Sequence, residues 1–99
     1  MIRHVVMFSW VDGTTEDTIT SVARQLDAMA ADIDSVAGFH HGPDIGANDG
    51  NFDYVVTADF DDLAGYLAYR DHPRHRGVVS TVLAPLISAR SAVQFEVSG

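Results

Sequence analysis

Ile2-Arg3-His4-Val5-Val6-Met7-Phe8-Ser9-Trp10-Val11 alternates with a period of two, the spacing of a β-strand whose successive side chains point to opposite faces. Ile2, His4, Val6, Phe8 and Trp10 fall on one face, with Val5, Met7 and Val11 on the other. A strand this apolar on both sides needs cover on both.

Downstream, Asp12-Gly13 supplies a turn. Thr14 followed by Glu16 and Asp17 marks a helix N-terminus, because carboxylates are favoured at the positive end of the helix dipole. Ile19, Val22, Ala23, Leu26, Met29, Ala30 and Ile33 then recur at three- and four-residue spacing, an apolar stripe along a helix of about five turns. Residues 36–45 read as a weaker strand, with Gly38 closing the connection and Pro43 placing it at a sheet edge. Residues 46–51 are a loop by composition.

Phe52, Tyr54, Val56, Ala58 and Phe60 alternate with Asp53, Val55, Thr57 and Asp59, a third strand joined to the second as a hairpin. Asp61-Asp62 caps a short helix bearing Leu63, Tyr66 and Leu67. That helix must end before Pro73, since the residue preceding proline is pushed out of the α region. A further helix restarts at Pro73, with His75, Val78, Val79, Val82, Leu83 and Leu86 on one face and Pro85 kinking or closing it. Val93, Phe95 and Val97 form the last strand.

The order β-α-β-β-α-β predicts an α+β, ferredoxin-like fold, an antiparallel sheet with helices on one face, in a single domain over residues 1–99. The remaining sheet face, carrying Phe8, Trp10, Phe52, Tyr54 and Phe60 or their opposites, is too apolar for water. The expected partner is a second copy, packing sheet on sheet into a dimeric α/β barrel.

Composition narrows the function. Fourteen acidic residues against six basic ones, all arginine, leave a net charge of -8. A phosphate-rich surface would repel such a chain, so neither nucleic acid nor membrane is an expected partner. With no cysteine, disulfides, thiolate nucleophiles and cysteine-ligated metals are excluded. The start passes straight into the strand, without the basic region, apolar run and cleavage site of a signal peptide, which predicts a cytoplasmic location.

Chemistry concentrates in the histidines, five in 99 residues: His4, the neighbours His40 and His41, and His72 and His75. His40 and His41 point to opposite sides of a strand and cannot share a site. In Tyr69-Arg70-Asp71-His72-Pro73-Arg74-His75, the tyrosine and the two histidines follow at three-residue intervals, so a hydroxyl and an imidazole can face one space. That pairing suits proton abstraction beside a carbonyl, histidine taking the proton and tyrosine hydrogen-bonding the oxygen on which charge develops. The same residues also suit capping and core packing. A zinc site of His4, His72 and His75 lacks any His-Glu-x-x-His spacing or metal-spaced carboxylate, so neither metal nor cofactor is expected.

Several landmarks in order resemble the stress-responsive A/B barrel (Dabb) family. Met1-Ile2-Arg3-His4-Val5-Val6-Met7-Phe8 resembles its opening, Phe60-Asp61-Asp62-Leu63, Tyr69 and His72-Pro73-Arg74-His75 its second signature, and Pro85-Leu86-Ile87 its ending. The resemblance implies a dimeric α/β barrel. Similarity to the family's plant polyketide cyclases implies a cofactor-free, aldol-type ring closure with His75 and Tyr69 catalytic. It places His4, His72, Val6, Phe8, Tyr54 and Val56 in a substrate pocket, Tyr54 standing where a cyclase pocket histidine aligns. Three activities are compatible with that barrel: a cyclase or lyase acting on a small apolar carbonyl compound, a non-catalytic ligand-binding or stress-protective dimer, and a cofactor-independent monooxygenase.

Overall fold

The first strand, β1 (Ile2–Trp10), is paired along both sides in the computed structural model, which describes residues 1–98. It is followed by α1 (Glu16–Ala31), β2 (Gly38–Pro43), β3 (Tyr54–Phe60), α2 (Leu63–Asp71), α3 (Pro73–Val78) and β4 (Ile87–Glu96). The sheet order is β2-β3-β1-β4, antiparallel throughout. This is the ferredoxin-like α+β fold, with β1 central and Pro43 on an edge strand as its missing N–H requires.

Register divides the sheet into two faces. His4, Val6 and Phe8 lie opposite Ala58, Val56 and Tyr54, and this set is buried against Val22, Leu26 and Met29 of α1. Phe60, fully buried, closes the same core. The open face holds Val5, Met7, Val55, Val93 and Phe95. Phe8, Tyr54 and Phe60 therefore all turn towards the helices, and it is the opposite set of strand side chains that faces outward. The open face remains apolar, with Val93 and Phe95 exposed and Val5, Met7 and Val55 half-buried.

Helix ends follow local chemistry. The cap of α1 is Thr15, one residue later than the sequence suggests: its hydroxyl accepts from the Thr18 N–H at 3.2 Å, while the Thr14 hydroxyl donates to the Val11 carbonyl. The helix stops at Ala31, and Ile33 is buried in the turn beyond it. After α3 the chain widens into π-type turns over Val79–Leu83 and tightens into a 3-10 turn over Ala84–Leu86, where Pro85 ends the helical run. The last strand starts at Ile87, six residues before Val93. Ser88, Ala89, Arg90 and Ser91 lack apolar alternation, yet their backbones pair with Met7, Phe8 and Ser9 across a bulge at Ser9/Trp10. A backbone ladder needs no side-chain pattern. Among the described residues no helix is long and apolar enough to cross a membrane.

Candidate active site

Pro73 creates the site by breaking a helix. Asp62 starts α2 by accepting the Gly65 N–H at 2.8 Å, which brings Tyr69 to the inner side of its final turn, 3% exposed. His72 then adopts an extended conformation, as the residue before proline must, and α3 restarts at once. This reversal brings His75 under the end of α2. Its Nδ1–H donates to the Arg70 carbonyl at 3.0 Å, and its ring centre lies 4.2 Å from that of Tyr69.

Because a carbonyl can only accept, the Arg70 contact fixes the His75 tautomer: the neutral ring carries its proton on Nδ1 and a lone pair on Nε2. His4 is arranged the other way. The Gln94 amide donates to its Nδ1 at 2.8 Å, so neutral His4 carries its proton on Nε2. One imidazole is thus a ready base and the other a donor.

Both rings border a cavity of about 490 Å³ between the sheet and the helices. Six of the residues marked in the sequence line it: His4, Val6, Phe8, Val56, Tyr69 and His75. Two others do not. His72 is spent as a cap, its Nδ1 accepting the Arg74 N–H at 3.0 Å. Tyr54 is buried, but its hydroxyl donates to Nδ1 of His41 at 2.7 Å, and Nε2–H of His41 donates to Asp27 at 2.6 Å. That chain ties β3 through β2 to α1 and commits the Tyr54 O–H to His41. Among the described residues no three His, Asp or Glu side chains are placed to hold a metal ion.

The cavity also contains groups that sequence spacing passed over. Tyr66, one helical turn before Tyr69, puts its ring 5.3 Å from His4. Its position three residues upstream was the available signal. Arg70 and Arg90 reach the cavity as well. Arg90 does so because it pairs with Phe8 across the sheet, a register that a single sequence does not display.

Burial, with the positive field of His75 and Arg90 added, holds the His4 imidazole down to about 4. Burial also lowers His75, although its hydrogen bond to the Arg70 carbonyl opposes the shift. Tyr69 is raised well above the ordinary phenol value by burial, so it stays a neutral donor at physiological pH. Stability should respond with a definite sign. Between pH 6.5 and about 4 the unfolded chain binds a proton at His4 that the folded chain refuses, so stability is intact above that window and falls as pH drops through it. Urea unfolding at pH 7 and pH 5 should show the loss, and His4→Gln should reduce it; an equal loss in that variant would place the titration elsewhere.

A protein-family model described as "Stress responsive A/B Barrel Domain" (Dabb) matches residues 2–97. A solved structure from Thermobifida fusca, a dimeric ferredoxin-like protein of unknown function, is 38% identical and superposes with a TM-score of 0.89, covering 97% of this chain and 90% of its own. A Dabb family protein from Mesorhizobium loti is 21% identical with a TM-score of 0.84, covering 99% and 97% of the two chains. The hydroxynitrile lyase from Passiflora edulis is 13% identical with a TM-score of 0.87, covering 98% and 93%, a likeness of fold. No curated protein matches the sequence.

Proposed function

The chain belongs to the stress-responsive A/B barrel (Dabb) domain family, and from that premise we propose that it is a cofactor-free enzyme of the cyclase or lyase type, moving a proton beside the carbonyl of a small apolar compound. The observation that carries this reading is the His75 tautomer: its Nδ1–H is held by the Arg70 carbonyl, so the unprotonated Nε2 belongs to a ring that borders an apolar cavity. In the proposed reaction, Nε2 of His75 takes a proton from the carbon next to the carbonyl, and the bonding pair moves onto the carbonyl oxygen. Tyr69 O–H and His4 Nε2–H donate to that oxygen as charge develops. The enolate carbon then forms a C–C bond to a second carbonyl carbon, whose π pair moves onto its own oxygen and takes the proton back from His75 Nε2; the same steps run backwards break such a bond. A cavity of about 490 Å³ is of ligand size, and the Passiflora edulis relative in fold is a lyase.

The test is exchange. A panel of aryl and alkyl ketones in deuterated buffer should acquire deuterium at the α carbon only with enzyme present. Ligand binding without exchange would instead support a non-catalytic ligand-binding dimer, and no exchange across the panel would remove the enzymatic reading.

The same reading takes residues 1–99 as one cytoplasmic domain that works as a homodimer. The Thermobifida fusca relative is dimeric, and here the open sheet face leaves Val93 and Phe95 54% and 47% exposed beside Val5 and Met7, an apolar surface that a second copy would cover. Light scattering after size exclusion should give twice the chain mass at micromolar concentration, and Phe95→Asp should give a monomer. A monomeric parent protein would contradict the assembly.

A further inference from the structure

The charge inside the cavity is opposite to that of the chain around it. Fourteen of the 99 residues are Asp or Glu, and the net charge is -8. Yet none of the side chains lining the cavity is acidic, while two of the six arginines, Arg70 and Arg90, reach it. The remaining lining is apolar apart from His4, His75 and the two tyrosines.

The two arginines are not equivalent. Arg70 gives its guanidinium to Asp71, with contacts of 2.9 and 3.1 Å, so its charge is already balanced. Arg90 has no ion-pair partner among the described residues. It sits on the edge strand directly across from Phe8, on the side of the sheet that faces the helices. Its charge acts on both His4 and His75, which places it within electrostatic reach of both imidazoles.

We infer that the compound this cavity takes is an anion, an apolar carbonyl compound bearing a carboxylate, with the carboxylate held by Arg90 at the β4 side. The inference rests on the reading of the cavity as a carbonyl site and adds the substrate class. A guanidinium offers two parallel N–H donors that match the two oxygens of one carboxylate. Arg90 is the one arginine lining the cavity that no described carboxylate pairs, and its exposed place on the β4 edge leaves it open to a carboxylate entering there. Arg90 is thus a specificity-determining residue, separate from the proton-transferring groups.

Isothermal titration calorimetry with 4-oxo-4-phenylbutanoate and its methyl ester tests this without any turnover. The acid should bind the parent protein roughly tenfold or more tightly than the ester, as charged hydrogen bonds commonly give. Arg90→Gln should erase that preference by weakening the acid alone, and Arg90→Lys should keep part of it. His75→Ala should retain the preference while losing α-proton exchange, so failure of the catalytic reading and failure of the substrate class are told apart. Equal affinity for acid and ester, no binding of the acid at millimolar concentration, or an unchanged preference in Arg90→Gln would each overturn the inference.

Discussion

Replacing His75 with alanine is expected to lower catalysed α-proton exchange by roughly 10²- to 10⁴-fold, the range a positioned general base contributes. The size follows from how the ring is held. The Arg70 carbonyl fixes Nδ1–H at 3.0 Å, and burial keeps the imidazole neutral, so Nε2 is unprotonated at neutral pH. No neighbouring group can replace it. His4 has its lone pair on Nδ1 already bound to Gln94, and Tyr69 is held protonated by burial. His75 is half-buried and bridges only to a backbone carbonyl, so the variant should remain folded, with a urea midpoint close to the parent. Tyr69→Phe should cost less, because His4 Nε2–H remains as a donor to the oxygen. Exchange undiminished in His75→Ala would show that another group takes the proton.

Phe60→Ala is expected to destabilise the protein by about 3–5 kcal/mol, the usual cost of emptying a buried phenylalanine site. Phe60 is fully buried at the end of β3 and packs against the rings of Tyr66 and Tyr69, with centroids 5.6 and 5.1 Å away. Domains of this size have total stabilities of about 5–15 kcal/mol, so the loss approaches the whole margin and denaturant unfolding will register it directly. The same two tyrosines border the cavity, so activity should fall even at temperatures where the variant is folded. Phe95→Ala, on the open face and 47% exposed, should barely change the stability of a single chain. A Phe60→Ala protein as stable as the parent would mean that the α2 rings do not depend on β3 for their placement.

The order of elements was legible because each has a local signal. The period of two in residues 2–11, the stripe from Ile19 to Met29 and the restart at Pro73 are properties of adjacent residues. What stayed hidden depends on register and on competition for hydrogen bonds. Whether Phe8 faces a helix or a partner depends on which side α1 covers, and that is set by tertiary packing. Tyr54 was placed in the pocket by the family resemblance, where a cyclase histidine aligns; its hydroxyl donates instead to His41, thirteen residues earlier in the chain. His72 looked like a partner for His75 because three residues separate them, but a side chain at a helix start competes for the first free backbone N–H. Arg90 was invisible for a further reason: it sits in a stretch of β4 without apolar alternation, held only by its ladder to β1.

The site therefore combines residues from three places in the chain. His4 comes from β1, Tyr69 and His75 from either side of the break at Pro73, and Arg90 from β4. Only the Tyr69–His75 pair is close in sequence, which is why that half of the site was readable from spacing and the other half was not.

Nitrogen-15 NMR of the histidine side chains at pH 7 tests the core of the proposed chemistry most directly. His75 should appear as a neutral imidazole with the proton on Nδ1 and an unprotonated Nε2; an imidazolium, or a neutral ring protonated on Nε2, would contradict its role as the base.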